Sequence, residues 1–206
     1  MSTLPAPTAR PDRLSPTPGQ TVGPFFHYAL PYAGDRDLVA PGMPGAFLLH
    51  GTVTDGAGRP VRDALVEIWQ AGPDGRVLQR QGSLRRDGHA FTGFGRCSTD
   101  RTGRFGFTTL RPGAVEGSLP FFAVTVFARG LLNRLFTRAY LPLDGAQPDA
   151  LLRAVGDRAQ TLICVEDEEG LRFDISLQGS DETVFLRWPG EGRGPADAGP
   201  DAQSPA

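Results

Sequence analysis

The 206 residues carry a formal charge of −2 and 39% hydrophobic side chains, which suits one globular domain with a core of its own. All basic side chains are arginines, and acids balance them closely enough to exclude the charge footprint of a nucleic-acid binder. Apolar runs no longer than a strand exclude a membrane helix, and the Pro-rich, polar start lacks the apolar centre of a secretory leader, so a cytoplasmic location is expected.

Residues 1–18 hold five prolines and are expected to be a flexible N-terminal segment. PGEGRGPADAGPDAQSPA (189–206) is expected to be a disordered C-terminal tail. The folded domain is then 19–188. Within it the hydrophobic period is mostly two. AFLLHGTVT (46–54) reads as a strand followed by a turn at 55–58, and VRDALVEIWQA (61–71) as the next strand. Between 72 and 97 the alternation dissolves into Gly, Arg and Asp, a long excursion off the sheet, and GFGRC (93–97) reads as a tight turn. A turn at 100–103 leads into the Phe105 and Phe107 strand; GSLPFFAVTVFARG (117–130) holds the next, and RLFTRAYL (134–141) is its hairpin partner. PDALLRAVG (148–156) is the single helical pattern, bounded by Pro148 and Gly156. TLICVED (161–167), LRFDISLQ (171–178) and TVFLRW (183–188) close the series as strands. Short strands at regular spacing with Gly/Asp turns predict an all-β fold, an antiparallel β-sandwich with long loops and one short helix.

Local chemistry is sparse. His27, His50 and His89 share no ligand spacing, and neither HxH, HxxxH nor HExxH occurs. His50, on a strand, reads as a satisfied histidine. Cys97 and Cys164 form neither a CxxC pair nor a disulfide framework and read as inert thiols. No GxSxG or Walker loop is present.

Longer segments are more specific. TPGQTVGPFFHYAL (17–30), GTVTDGAGRPVRDALVEIWQAGPDG (51–75), FGRCSTDRTGRFGFTTLRPG (94–113), FAVTVFARGLLNRLFTRAYL (122–141) and RFDISLQGSDETVFL (172–186) resemble the intradiol ring-cleavage dioxygenases. Their order and spacing are similar to the alpha subunits of the members that cleave protocatechuate. The hairpin GTVTDGAGRP also occurs in transthyretin-like sandwich modules, so a non-catalytic interaction module is the alternative. QTVGPFF, LRPG, FARG and the closing FDISLQ segment are narrower.

The resemblance implies a β-sandwich subunit that holds no metal. In iron-bearing chains of the family, ferric iron takes a tyrosine after a Pro-Gly turn and an HxH pair on the following strand. Val115, Phe121 and Ala123 stand at those positions here. Side chains without lone pairs cannot ligate. The implied Fe(III) therefore belongs to a partner beta subunit, in a higher hetero-oligomer acting on protocatechuate and O2, with no catalytic residue in this chain. The positions matching the family's alpha-chain pocket wall are Thr21, Phe25 and Arg129. Phe25 stands where the alpha chain often has tyrosine and reads as an apolar wall. Arg129 reads either as a carboxylate-binding fork or as a strand-end arginine paired with an acid such as Glu116. Thr21 reads either as a hydrogen-bonding pocket group or as a brace for the turn at 23–24. Arg138 and Tyr140 read as packing within the sandwich.

Overall fold

The computed structural model describes residues 20–23, 25–78 and 90–187, and Gln20–Arg187 form one compact unit. The expected tails at 1–18 and 189–206, and the middle of the 72–97 excursion, lie outside the described residues.

Two sheets face each other. One is four-stranded, in the order β3 (Phe94–Ser98), β2 (Leu65–Gln70), β5 (Phe121–Phe127), β6 (Leu135–Tyr140), every pair antiparallel. The other runs β4 (Arg104–Leu110), β1 (Ala46–Thr54), β8 (Gly170–Arg172), β7 (Val165–Glu166), with β9 (Ile175–Ser176) also on β1. Alternation places Leu49 and Val53 of β1, Val66 and Ile68 of β2, Phe105 and Phe107 of β4, and Phe122, Val124 and Val126 of β5 in the shared core. Each such side chain contributes about 1.5–3 kcal/mol on burial. The β5–β6 hairpin forms as the sequence suggests, with Phe121 opposite Tyr140.

The structure differs from the sequence expectation in four places. GFGRC is not a tight turn: Phe94–Ser98 is β3, which bounds one edge of its sheet. Gly95 serves packing there, because a Cβ would stand 2.5 Å from Leu38 Cδ1 and 3.0 Å from Phe107 Cδ1. The second strand begins only at Leu65, the residues before it forming a turn. The five-stranded sheet is mixed, since β8 and β9 run parallel to β1. Gly51 permits this: a Cβ on it would overlap the Phe173 carbonyl, and the Phe173 amide donates to the His50 carbonyl at 2.7 Å. The closing strands shrink to two or three residues, and 183–187 makes only an isolated bridge, Leu186 to Phe136.

Helical structure is short. Asp149 caps α2 (Ala150–Val155) by accepting the Leu152 amide at 3.0 Å, and a 3-10 turn at Gly156–Leu162 follows. A further four-residue helix, α1 (Phe26–Ala29), lies in the segment quoted above at 17–30. Among the described residues no helix is long and apolar enough to cross a membrane.

Candidate functional site

Thr21 and the β5 exit at Arg129 and Gly130, more than a hundred residues apart in sequence, meet at one end of the sandwich. β5 ends at Phe127, and the Gly130 amide just beyond it donates to Thr21 Oγ1 at 2.8 Å. Arg129 Nη2 lies 3.1 Å from Asp63 Oδ2, so its acid partner is Asp63 in the β1–β2 loop and not Glu116. The Asp63 side chain is 13% exposed and that of Arg129 56%. The carboxylate is the buried member of the pair, while more than half of the Arg129 side chain is exposed and its guanidinium has donors beyond the one facing Asp63. Thr21 thus braces the β5 exit, and its oxygen, occupied as acceptor by an amide, keeps its own proton available to donate.

Phe25 is 74% exposed immediately before α1, and Tyr28 on the helix is equally open. Two bonds hold this segment to β3. Ser98 Oγ donates to the His27 carbonyl at 3.2 Å, and Arg96 Nη1 donates to the Leu30 carbonyl at 2.9 Å. Arg96 is itself fixed by a two-pronged bond to Glu67, at 2.8 and 2.6 Å. The structure brings Thr21 to Gly130, the residue next to Arg129 at the β5 exit, whereas Phe25 is largely exposed.

The outer side of β5 carries Phe121 and Ala123, opposite Tyr140 and Arg138 of β6. The Arg138 guanidinium lies 4.0 Å over the Phe121 ring and donates to Tyr140 Oη at 3.1 Å and Ser118 Oγ at 3.3 Å. Burial pushes the Tyr140 phenol up, against the pull of Arg138. Arg138 and Tyr140 therefore pair within the sandwich, as the sequence suggests. Ferric iron does not fit these groups: hydrocarbon at 115, 121 and 123 offers no donor, and a fixed cation covers Phe121. Among the described residues no three His, Cys, Asp or Glu side chains cluster to hold a metal.

The remaining chemical candidates are occupied or sealed. His50, 5% exposed, has Nε2 3.1 Å from Asp167 Oδ1. Burial pushes both thiols up, that of Cys164 to about 12. Asp63 was the partner sequence reasoning missed, since nothing in RDALVEIW marks its aspartate apart from any other loop acid.

Comparison with known proteins follows the same lines. A family model described as "Dioxygenase_C: Dioxygenase" matches residues 23–118. The protocatechuate 3,4-dioxygenase alpha chain of Burkholderia cepacia is 38% identical, covering 84% of this chain and 98% of that protein. The alpha chain of Pseudomonas putida is 37% identical, covering 84% and 96%. The beta chain of Burkholderia cepacia is 32% identical, over 85% and 82%. Among solved structures, the dioxygenase domain of a dioxygenase carbohydrate-binding protein fusion from Streptomyces sp. SirexAA-E superposes with a TM-score of 0.51 at 25% identity, covering 81% of this chain and 100% of that one. An intradiol ring-cleavage dioxygenase from Tetranychus urticae shares the fold, with a TM-score of 0.51 at 18% identity over 82% and 98%. Near-full-length similarity of this kind extends far beyond the one hairpin shared with interaction modules, and the chain belongs to the intradiol ring-cleavage dioxygenases, among the protocatechuate 3,4-dioxygenase alpha chains.

Proposed function

We propose that this chain is the iron-free alpha subunit of a protocatechuate 3,4-dioxygenase, working only beside a beta subunit that holds the non-heme Fe(III). The observation that carries the reading is the pairing of near-full-length similarity to alpha chains with hydrocarbon at Val115, Phe121 and Ala123. Similarity to a beta chain as well fits two related subunits that share one fold. In the assembled enzyme both atoms of O2 enter protocatechuate. The ring opens between its two hydroxyl-bearing carbons to give 3-carboxy-cis,cis-muconate.

This chain supplies shape, charge and exclusion of water. Arg129 offers outward guanidinium donors to an anionic ring carboxylate, held in place by Asp63. Thr21 offers a hydroxyl proton beside it. Phe25 contributes apolar wall once covered by the partner. Groups that bind substrate and transition state alike lower KM without raising kcat.

Co-expression with a beta chain is the test. The expected product is a coloured, iron-containing complex that consumes O2 with protocatechuate. A colourless chain that binds no beta subunit, or an isolated chain carrying stoichiometric iron, would overturn the proposal.

A further inference from the structure

The loops at the Arg129 end of the sandwich enclose a cleft of about 590 Å3. Its charged lining is Arg59, Arg62, Arg101 and Arg129 against Asp55 and Asp63. These six come from three separate places: the β1–β2 loop, the β3–β4 turn and the exit of β5. Four guanidiniums facing two carboxylates leave a positive surplus, in a chain whose formal charge is −2.

Both carboxylates are already engaged. Asp55 Oδ2 pairs with Arg59 at 2.9 Å, and its Oδ1 accepts the Ala57 and Arg59 amides of the turn. Asp63 pairs with Arg129. That leaves Arg62 and Arg101, exposed and without an ion pair among the described residues. Val61 and Leu131 add apolar wall to the same cleft. A concave wall with a net surplus of one sign concentrates counter-charge better than the same surplus spread over a convex surface. An apolar surface beside the cations suits a ring better than a bare inorganic anion.

We propose that Arg62 and Arg101 make this cleft a capture site for carboxylate-bearing aromatics, gathering the anion beside Arg129 and favouring ring acids over uncharged phenols. The inference rests on the alpha-subunit reading and adds two specificity-determining residues that no sequence motif singles out. Both act through charge at a distance, so their effect is screened by salt, whereas a purely structural role would not be.

The test uses the assembled iron-bearing complex, with 4-hydroxybenzoate and phenol as unreactive probes. Among the described residues Arg62 and Arg101 have no ion pair to lose, so the double variant Arg62→Gln/Arg101→Gln should keep its iron content. At low ionic strength it should bind 4-hydroxybenzoate about tenfold more weakly, with phenol affinity unchanged. The difference should close at about 1 M salt, where the screening length falls to about 3 Å. Unchanged 4-hydroxybenzoate affinity, or equal losses for both probes, would overturn the proposal. A second measurement needs no variant. In the unmutated complex the preference for 4-hydroxybenzoate over phenol should fall as salt rises, and a flat preference overturns the proposal independently. An unmutated complex without iron or protocatechuate turnover would instead overturn the functional reading beneath it.

Discussion

Thr21 Oγ1 accepts the Gly130 amide, so one hydroxyl can do two jobs: it holds the β5 exit and keeps its own proton free to donate. Replacing it separates them. Thr21→Ser in the assembled enzyme should behave as the parent does, while Thr21→Val should raise KM for protocatechuate by about fivefold, the equivalent of one hydrogen bond of about 1 kcal/mol. Arg129→Ala should keep the complex's iron and lower kcat/KM by about 1–3 kcal/mol, as loss of a charged hydrogen bond does. Unchanged constants would mark Arg129 as a strut for Asp63 alone. The thiols should behave oppositely to reactive cysteines. With Cys164 pushed to about 12 and only 2% exposed, native protein at pH 8 should resist a thiol reagent and react only after denaturation. At this scale the sequence named the residues but not their company. FARG and QTVGPFF made Arg129 and Thr21 candidates, yet their proximity and the Asp63 partner arise from loops converging at the end of the sandwich.

Strands were legible where alternation was strong and flanking turns were marked. β1 runs over the residues its pattern predicts, Ala46–Thr54, and β5 and β6 pair as a hairpin. β3 was not legible because glycine signals two opposite things. In GFGRC it looked like turn chemistry, whereas Gly95 is there because Leu38 and Phe107 press against the backbone from the core. The short closing strands were over-read because their apolar residues pack on the core without long ladders beside them. Two substitutions measure these close approaches. Gly95→Ala should cost about 1–3 kcal/mol in denaturant unfolding, as overpacking does. Gly51→Ala should cost at least as much, because its methyl meets backbone at Phe173, not a side chain that can swing away. A cost below about 0.5 kcal/mol at either site would show that the facing elements separate freely.

For the molecule as a whole, several carboxyl groups are held below the ordinary carboxylate range. The Arg59 amide does this to Asp55, the Thr102 hydroxyl to Asp100, the His50 ring to Asp167 and the Arg104 guanidinium to Glu169. As pH falls the unfolded chain takes up protons first, near pH 4. Their stabilisation is therefore present above that value and lost as pH drops through the lower folded values. Asp35, raised by burial, works the other way. Thermal unfolding from pH 7 to pH 3 should show a midpoint that falls at the acid end; a midpoint that holds steady would contradict it.

The parallel pairing of β1 also bears on how the chain is made. β1 and β4 are neighbours early in synthesis, but the other side of β1 pairs with residues around Gly170 and Ile175. Until that stretch has left the ribosome, the amides and carbonyls of a central, apolar strand stand open to any other extended chain. The nascent subunit thus carries a sticky seam through most of its translation. Residues near 170–176 close it from within, and truncations before them should aggregate even though every strand of the four-stranded sheet is already complete.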